Sequence, residues 1–351
     1  MTFFFYLPFL LGFVVLGVYA ERKISAFIQN RLGPMEVGPL GLFQTIADLL
    51  KMLQKEDIVP SKADRPLFLF APIVVFGALF TSYALLPLSV DFEGGSIPSG
   101  ILFLLGIVSL DVLGILMAGW SSNNKFSLYG AMRSVAQIVS YEIPLGLSVL
   151  CVVMVSQTLD LQTIVEEQGI GRENFLLGIK ALGIETSDWG GVFSWNIFRV
   201  PILIPVFVIF FIAGLAEANR APFDLPESES EVIGGYHTEY SGFRFGIFML
   251  AEYGMMLLIA LLASILFFGG WQTPLPNFGF VRMATWTTGL GWGIFWLVSK
   301  TLFFIFLQMW IRWTVPRLRV DQLMDVAWKY LTPIAILLIF LTGIWRLWVM
   351  Q

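Results

Sequence analysis

The sequence predicts an all-α, polytopic integral membrane protein with about eight transmembrane helices and one interfacial amphipathic helix. Two observations carry that expectation. Of 351 residues, 57% are hydrophobic and only 13% charged, against about 25% charged in soluble domains. The apolar residues also gather into runs of about 20, the length that crosses a hydrocarbon core. The 33 Phe and 12 Trp fit the aromatic belts of such a protein.

Taken in order, the apolar runs place helices near residues 2–21, 66–90, 97–119, 128–157, 198–216, 243–269, 286–311 and 330–350. The first lacks the basic n-region of a cleavable signal and is followed by Glu21-Arg22-Lys23, so it reads as a spanning helix. Pro66 and Pro72 stand at or near the start of the second helix, where proline is tolerated. Pro144 lies inside the fourth and is expected to kink it. Between the first two runs, residues 38–55 place Leu42, Phe43, Ile46, Leu49, Leu50 and Leu53 at helical spacing, opposite Gln44, Asp48, Lys51 and Lys55. That segment is too short and too charged to span, and reads as an amphipathic helix lying on the membrane or on a partner subunit. The whole chain, 1–351, reads as one membrane domain.

Lys and Arg concentrate in the connections that follow the odd-numbered helices, from Arg22 to Arg65 after the first and from Arg312 to Lys329 after the seventh. The positive-inside rule then puts those connections in the cytoplasm and both termini on the outer, periplasmic side of a bacterial inner membrane. The glycine-rich segment 157–197 becomes an outward loop, read as a small periplasmic cap. The connection 216–242 becomes a cytoplasmic hinge. It holds Glu217, Arg220, Phe223, Asp224, Glu227, Glu229, Glu231, His237 and Glu239 between two long apolar runs. A polar stretch so placed must meet water, a partner, or a cavity lined by protein.

Several function classes are excluded at this level. A net charge of −4 with no basic run gives no reason to expect nucleic acid. One cysteine, Cys151, and one histidine, His237, cannot hold an iron–sulfur cluster, a structural zinc or a bis-histidine haem. Electron carriers of any redox assembly therefore lie in other chains. No Walker A sequence, GxGxxG or HExxH is present, and no inverted repeat of the transporter kind is apparent.

Asp111, Glu142 and Glu252 fall within apolar runs, Glu217 ends one, and Lys300 lies inside another. A charge at mid-bilayer costs roughly 2.5–3.5 kcal/mol on insertion scales, so pairing, water or protonation must offset each of them. Two outcomes follow. Lys300 can pair with an acid such as Asp111 to satisfy both charges, or the acids, Glu142 and Glu217 foremost, can carry protons.

A family resemblance sharpens this. Glu21-Arg22-Lys23, Arg31-Leu32-Gly33-Pro34, Ala47-Asp48-Leu49-Leu50-Lys51 and Gly119-Trp120-Ser121-Ser122-Asn123-Asn124-Lys125 all carry it. So do Gly130-Ala131-Met132-Arg133, Ser140-Tyr141-Glu142, the hinge AEANRAPFDLPESESEVIGGYHTEY and the late WIRWTVPRLRVDQLM. Together they resemble the H (ND-one-like) subunit of proton-pumping NADH:quinone oxidoreductase, respiratory complex I, over nearly the whole chain. The resemblance implies a place at the heel of the complex, forming much of a quinone tunnel that lipid quinone reaches between the first helix, the amphipathic helix and the sixth helix. It implies quinone, menaquinone or ubiquinone, as substrate, no covalently bound cofactor here, and FMN and iron–sulfur clusters only in partner subunits. Partners would be the other subunits of both arms and membrane lipids.

By the same resemblance Arg22, Arg31, Asp48, Arg220 and Phe223 are quinone-side positions, and none is a catalytic residue of this chain's own. Glu142, Glu217, Asp224, Glu227, Glu229, Glu231 and Glu252 form the acidic route into the membrane. Three features depart from the family pattern: Met35-Glu36 after the RLGP turn, Asp111 in a stretch usually neutral, and the length of the outward loop. A membrane subunit of an energy-converting hydrogenase-type complex and a free-standing ion transporter are the competing readings.

Overall fold

The computed structural model describes residues 2–89, 97–170, 175–179, 189–225, 233–277 and 282–349. Among them every regular element is helical and no β-strand occurs. The helices are α1 (Thr2–Ile28), α2 (Gln44–Gln54), α3 (Arg65–Tyr83), α4 (Gly100–Val108), α5 (Leu110–Ser121), α6 (Lys125–Ser156), α7 (Leu161–Glu167), α8 (Asn196–Arg199), α9 (Leu203–Glu217), α10 (Gly242–Phe267), α11 (Met283–Trp286), α12 (Leu290–Thr314), α13 (Val320–Asp325) and α14 (Thr332–Trp348).

Six helical runs are long and apolar enough to cross a membrane: α3, α4 with α5, α6, α10, α12, and α13 through α14. The 27-residue α1 and the shorter apolar α9 complete the eight hydrophobic elements that the sequence predicts. The protein is an all-α polytopic membrane protein.

Local sequence explains where these elements begin and break. The Asn124 side chain accepts from the Phe126 amide at 2.9 Å and starts α6, while Asp160 accepts from Gln162 and Thr163 and starts α7. Both are short polar caps for amides that have no partner inside the helix. The predicted third helix is divided at Ser109 between α4 and α5. The fifth is shorter than expected, because Pro201 lies between α8 and α9 and denies the ladder an amide. The last begins ten residues early, at Val320, and passes through a wide π turn over Val326–Leu331 before α14. Pro144 is accommodated within the continuous 32-residue α6.

The core lies among α3, α5, α6, α9 and α10, with α12 and α14 packed against its sides. Small residues let these helices approach closely. A Cβ on Gly119 would meet the Ala131 Cβ at 2.2 Å, and one on Gly214 would meet Ile259 at 2.4 Å, the kind of contact that drives helix association in lipid. The amphipathic helix α2 packs against α1 and α10. Its Ile46, Leu49, Leu50 and Leu53 stay exposed, so the apolar face is free for bilayer or a partner subunit. In the segment after α6, α7 buries Leu161, Ile164 and Val165, and Gln168 donates to the Ile265 carbonyl at the far end of α10.

Candidate functional site

The hinge is held at both ends by the helices it joins. Where it leaves α9, the Gln137 amide on α6 donates to the Ala216 carbonyl at 2.7 Å and to Asn219 Oδ1 at 3.2 Å. Where it returns, Gly235 presses on α6 so closely that a Cβ on Gly130 would lie 2.6 Å from the Gly235 Cα. There the Ser127 hydroxyl donates to the Tyr236 carbonyl, and Asn124 donates to Glu239 at 2.6 Å. Tyr240 stacks on Phe68 at 4.0 Å and donates to its carbonyl; burial pushes its hydroxyl up to about 12. His237 packs edge-on against Tyr236 and Phe245. Glu227, Glu229 and Glu231 lie outside the described residues.

Between these ends, Arg220 turns back into the protein and is 7% exposed. Its Nη1 donates to both oxygens of Glu21 at 3.1 Å. Glu21 also accepts from Tyr253 at 2.7 Å and from Arg312. The Arg220 guanidinium lies over the Tyr253 ring, 4.2 Å from its centre. Burial works against the Arg220 charge, but Glu21 beside it more than restores it, and the group is held more firmly cationic than a free arginine. One carboxylate from α1, one arginine from the hinge, one from α12 and a tyrosine from α10 thus meet at a single point.

Glu21, Tyr253 and Arg312 are the residues that sequence reasoning missed. Glu21 and Arg312 stood in stretches that carry the family resemblance but were given no place in the site, and Tyr253 gave no signal. On the α2 side, Arg22 Nη1 binds Asp48 Oδ2 at 2.6 Å, and Gln44 steadies the other Asp48 oxygen. The structure therefore joins two of the predicted quinone-side residues. Arg31 is not brought to them; it is exposed and donates to Gln29. Phe223 is buried, with its ring edge-on to Tyr141 at 5.2 Å. Asp224 is buried and accepts from Arg317 at 2.9 Å.

A second group of acids lies deeper. Asp111 from α5, Glu217 and Asn219 from the end of α9, Tyr236 from the hinge and Glu252 from α10 line one cavity. It has about 10 Å³ of free space, close to what a single water needs. Tyr236 donates to Glu252 at 3.1 Å. Oδ1 of Asp111 and Oε2 of Glu217 are buried there with no hydrogen-bond partner among the described residues. Glu142, on α6, is near enough to act electrostatically on Glu217. Its carboxylate meets the Ser109 hydroxyl, which also lies 2.9 Å from the Leu105 carbonyl. The structure thus gathers the predicted intramembrane acids into one neighbourhood.

Lys300 is solved differently from the pairing with Asp111 that the sequence allowed. Its ammonium donates to the carbonyls of Phe268, Gly270 and Gln272 at 2.6–2.9 Å and sits 4.2 Å from the Trp195 ring centre. Three bonds fill the donor capacity of an ammonium. The ligands are the open carbonyls past the end of α10, where a cation also answers the helix dipole. Among the described residues no group of His, Cys, Asp and Glu could hold a metal ion.

A family described as NADH dehydrogenase matches residues 1–343. An NADH-quinone oxidoreductase H subunit of Cytophaga hutchinsonii, the form numbered 2, is 54% identical, covering 98% of each chain. This chain belongs to the H-subunit family of NADH-quinone oxidoreductase. An H subunit of Chlorobium luteolum is 53% identical over 95% of this chain and 85% of its own, and one of Brevibacillus brevis 45% identical over 96% and 90%. An H subunit is by name one part of a larger oxidoreductase, so these relatives fit a chain whose charged hinge and bare α2 face await neighbours. Membership agrees with a bacterial membrane protein of several spans, a subunit of an oxidoreductase complex with other subunits as partners.

Proposed function

We propose that this chain forms part of a quinone-binding tunnel and couples quinone reduction to proton translocation. It works as a subunit without redox centres inside a proton-translocating NADH:quinone oxidoreductase of the inner membrane, with both termini on the periplasmic side. Lipid quinone, menaquinone or ubiquinone, is the substrate. Electrons reach it from FMN and iron–sulfur clusters held by partner subunits.

One observation supports this reading above the others. Charged groups form a series from the α2 pair to the interior cavity. Arg22–Asp48 ties α1 to α2; next on α1, Glu21 binds Arg220. Arg220 lies within electrostatic reach of Glu252, which lines the cavity shared by Glu217 and Asp111. Full reduction of a quinone takes up two electrons and two protons. Charge arriving near Arg220 would change the balance at Glu21, and through Arg220 at the acids beyond it, because each carboxylate's proton affinity depends on its charged neighbours. Asp224, with Glu227, Glu229 and Glu231 of the same hinge, belongs to the proton-coupling set, and Arg31 and Phe223 to the quinone side.

The test uses the assembled complex in native membranes. Glu217→Gln and Glu142→Gln keep side-chain size and remove a titratable group. The expected result is normal assembly with pumping lost or strongly slowed. Full assembly with unaltered coupling of electron transfer to pumping would refute the reading.

A further inference from the structure

Glu217 is 4% exposed, and its Oε2 points without a partner into the small cavity. Such an atom is normally satisfied by protein or by an ordered water. The cavity has room for one water and polar groups enough to hold it. Tyr236 already engages Glu252, so the open acceptors that face the space are those of Glu217 and Asp111. Among the described residues, Asp111 is thus the acid on the other wall with a free oxygen.

Depth adds to this. At 1.5 Å per residue, Asp111 lies about 15 Å along α5 from its Ser121 end, and Glu142 about 25 Å along α6 from Lys125. Both ends belong to the same short connection, residues 121–125. Asp111 therefore stands at a level between that connection and Glu142. Two residues earlier on the same helical run, Ser109 meets the Glu142 carboxylate.

We infer that Asp111 is a further proton-carrying group, exchanging a proton with Glu217 through a single water in this cavity. The inference rests on the proton-coupling reading above. In the exchange, the Glu217 acid gives its proton to the water as its O–H bond breaks. The water passes one of its own protons to the Asp111 carboxylate. Glu217 ends as carboxylate, Asp111 as acid and the water unchanged, with no electron transferred. The pair keeps one negative charge throughout, so the step needs no new counterion. The proton then lies on α5, at the end of that helix next to Ser109, which meets the Glu142 carboxylate.

The experiment compares Asp111→Asn, Asp111→Ser and Asp111→Glu with Glu217→Gln and the Asp111→Asn/Glu217→Gln double variant. NADH-driven quinone reduction and proton uptake are followed in membrane vesicles containing the whole complex, with assembly checked by native gel. Asp111→Asn is expected to assemble and to slow coupled turnover about a hundredfold, the low end of the loss of an acid–base group. Asp111→Glu, which keeps the carboxyl, is expected to recover most of it, whereas the neutral Asp111→Ser is not, a split that a merely packing role would not produce. The double variant should be no slower than Glu217→Gln, since both remove one step. Normal turnover in any assembled neutral variant overturns the inference, as does loss of assembly in both neutral variants, which would make Asp111 structural. If Glu217→Gln is slow while Asp111→Asn is normal, only the inference fails. If both are normal, the proton-coupling reading fails with it.

Discussion

The Glu21 cluster and the Asp111–Glu217 cavity hold carboxylates in similarly buried places, yet they are built on opposite plans. Glu21 is 5% exposed and accepts from two arginines and a tyrosine. Glu217 is just as buried, and one of its oxygens has no partner among the described residues. A carboxylate locked between cations stays ionised and fixes geometry. One surrounded by other acids and a water-sized space is free to gain or lose a proton. On the proposed reading the same residue type is a strut in one place and a proton carrier in the other, and its neighbours decide which.

The sharpest way to break that contrast is to remove the strut. Glu21→Gln leaves Arg220 buried without its counterion and Arg312 without its partner. Removing one member of a buried ion pair costs about 3–5 kcal/mol, so this variant should lose assembly or melt well below the unaltered complex in a detergent thermal-shift assay. If Glu21→Gln is as stable as the parent, the cluster is no strut. Glu217→Gln tests the other half. It removes no partner, so its stability should lie within about 1 kcal/mol of the parent while turnover falls. Equal destabilisation by the two variants would erase the distinction.

Much of this was legible in the sequence, for a simple reason. Runs of about 20 apolar residues have few alternatives to spanning helices, because lipid leaves backbone groups no other partner. That argument finds α6, α10 and α12 to within a few residues, and the start of α3 though not its end, which comes seven residues early at Tyr83. It also points to the acids, since a charge in an apolar run is conspicuous. What it does not find is which charges meet. Arg220 and Glu21 are 199 residues apart, and Glu21 looks from the sequence like any polar residue flanking a helix. Lys300 was conspicuous for its charge, but its partners are backbone carbonyls, which every residue has and no pattern marks. The break at Ser109 was hidden too, because its apolar neighbours make one continuous run.

Lys300 offers an intermediate case between strut and carrier. Its charge is answered by dipoles alone, at Phe268, Gly270 and Gln272. Lys300→Met would leave those carbonyls without the donor they face, at about 1–3 kcal/mol for the groups so exposed. A moderate fall in melting temperature is expected, with quinone turnover per assembled complex unchanged, since Lys300 touches none of the acids. A loss of turnover at full stability would move Lys300 into the proton-carrying class.

The smallest effect is expected at the water-facing end of the charged series. Arg22 and Asp48 are 46% and 29% exposed in their side chains and pair at 2.6 Å, an arginine–carboxylate pair like Arg220 and Glu21. Exposure separates the two pairs: solvent screens the outer one, and such pairs contribute about 0–1 kcal/mol. Asp48→Asn should therefore leave assembly and melting nearly unchanged. Its effect should instead appear in the KM for quinone, because Asp48 fixes Arg22 between α1 and α2, where the proposed tunnel opens. Quinone titrations of Asp48→Asn and Glu21→Gln membranes, each normalised to assembled complex, separate the two. A raised KM with normal stability at Asp48 would mark the outer pair as a guide for substrate. Destabilisation at Asp48 as large as that at Glu21 would show that the pairing itself matters more than its burial, and would undo the division between strut and carrier.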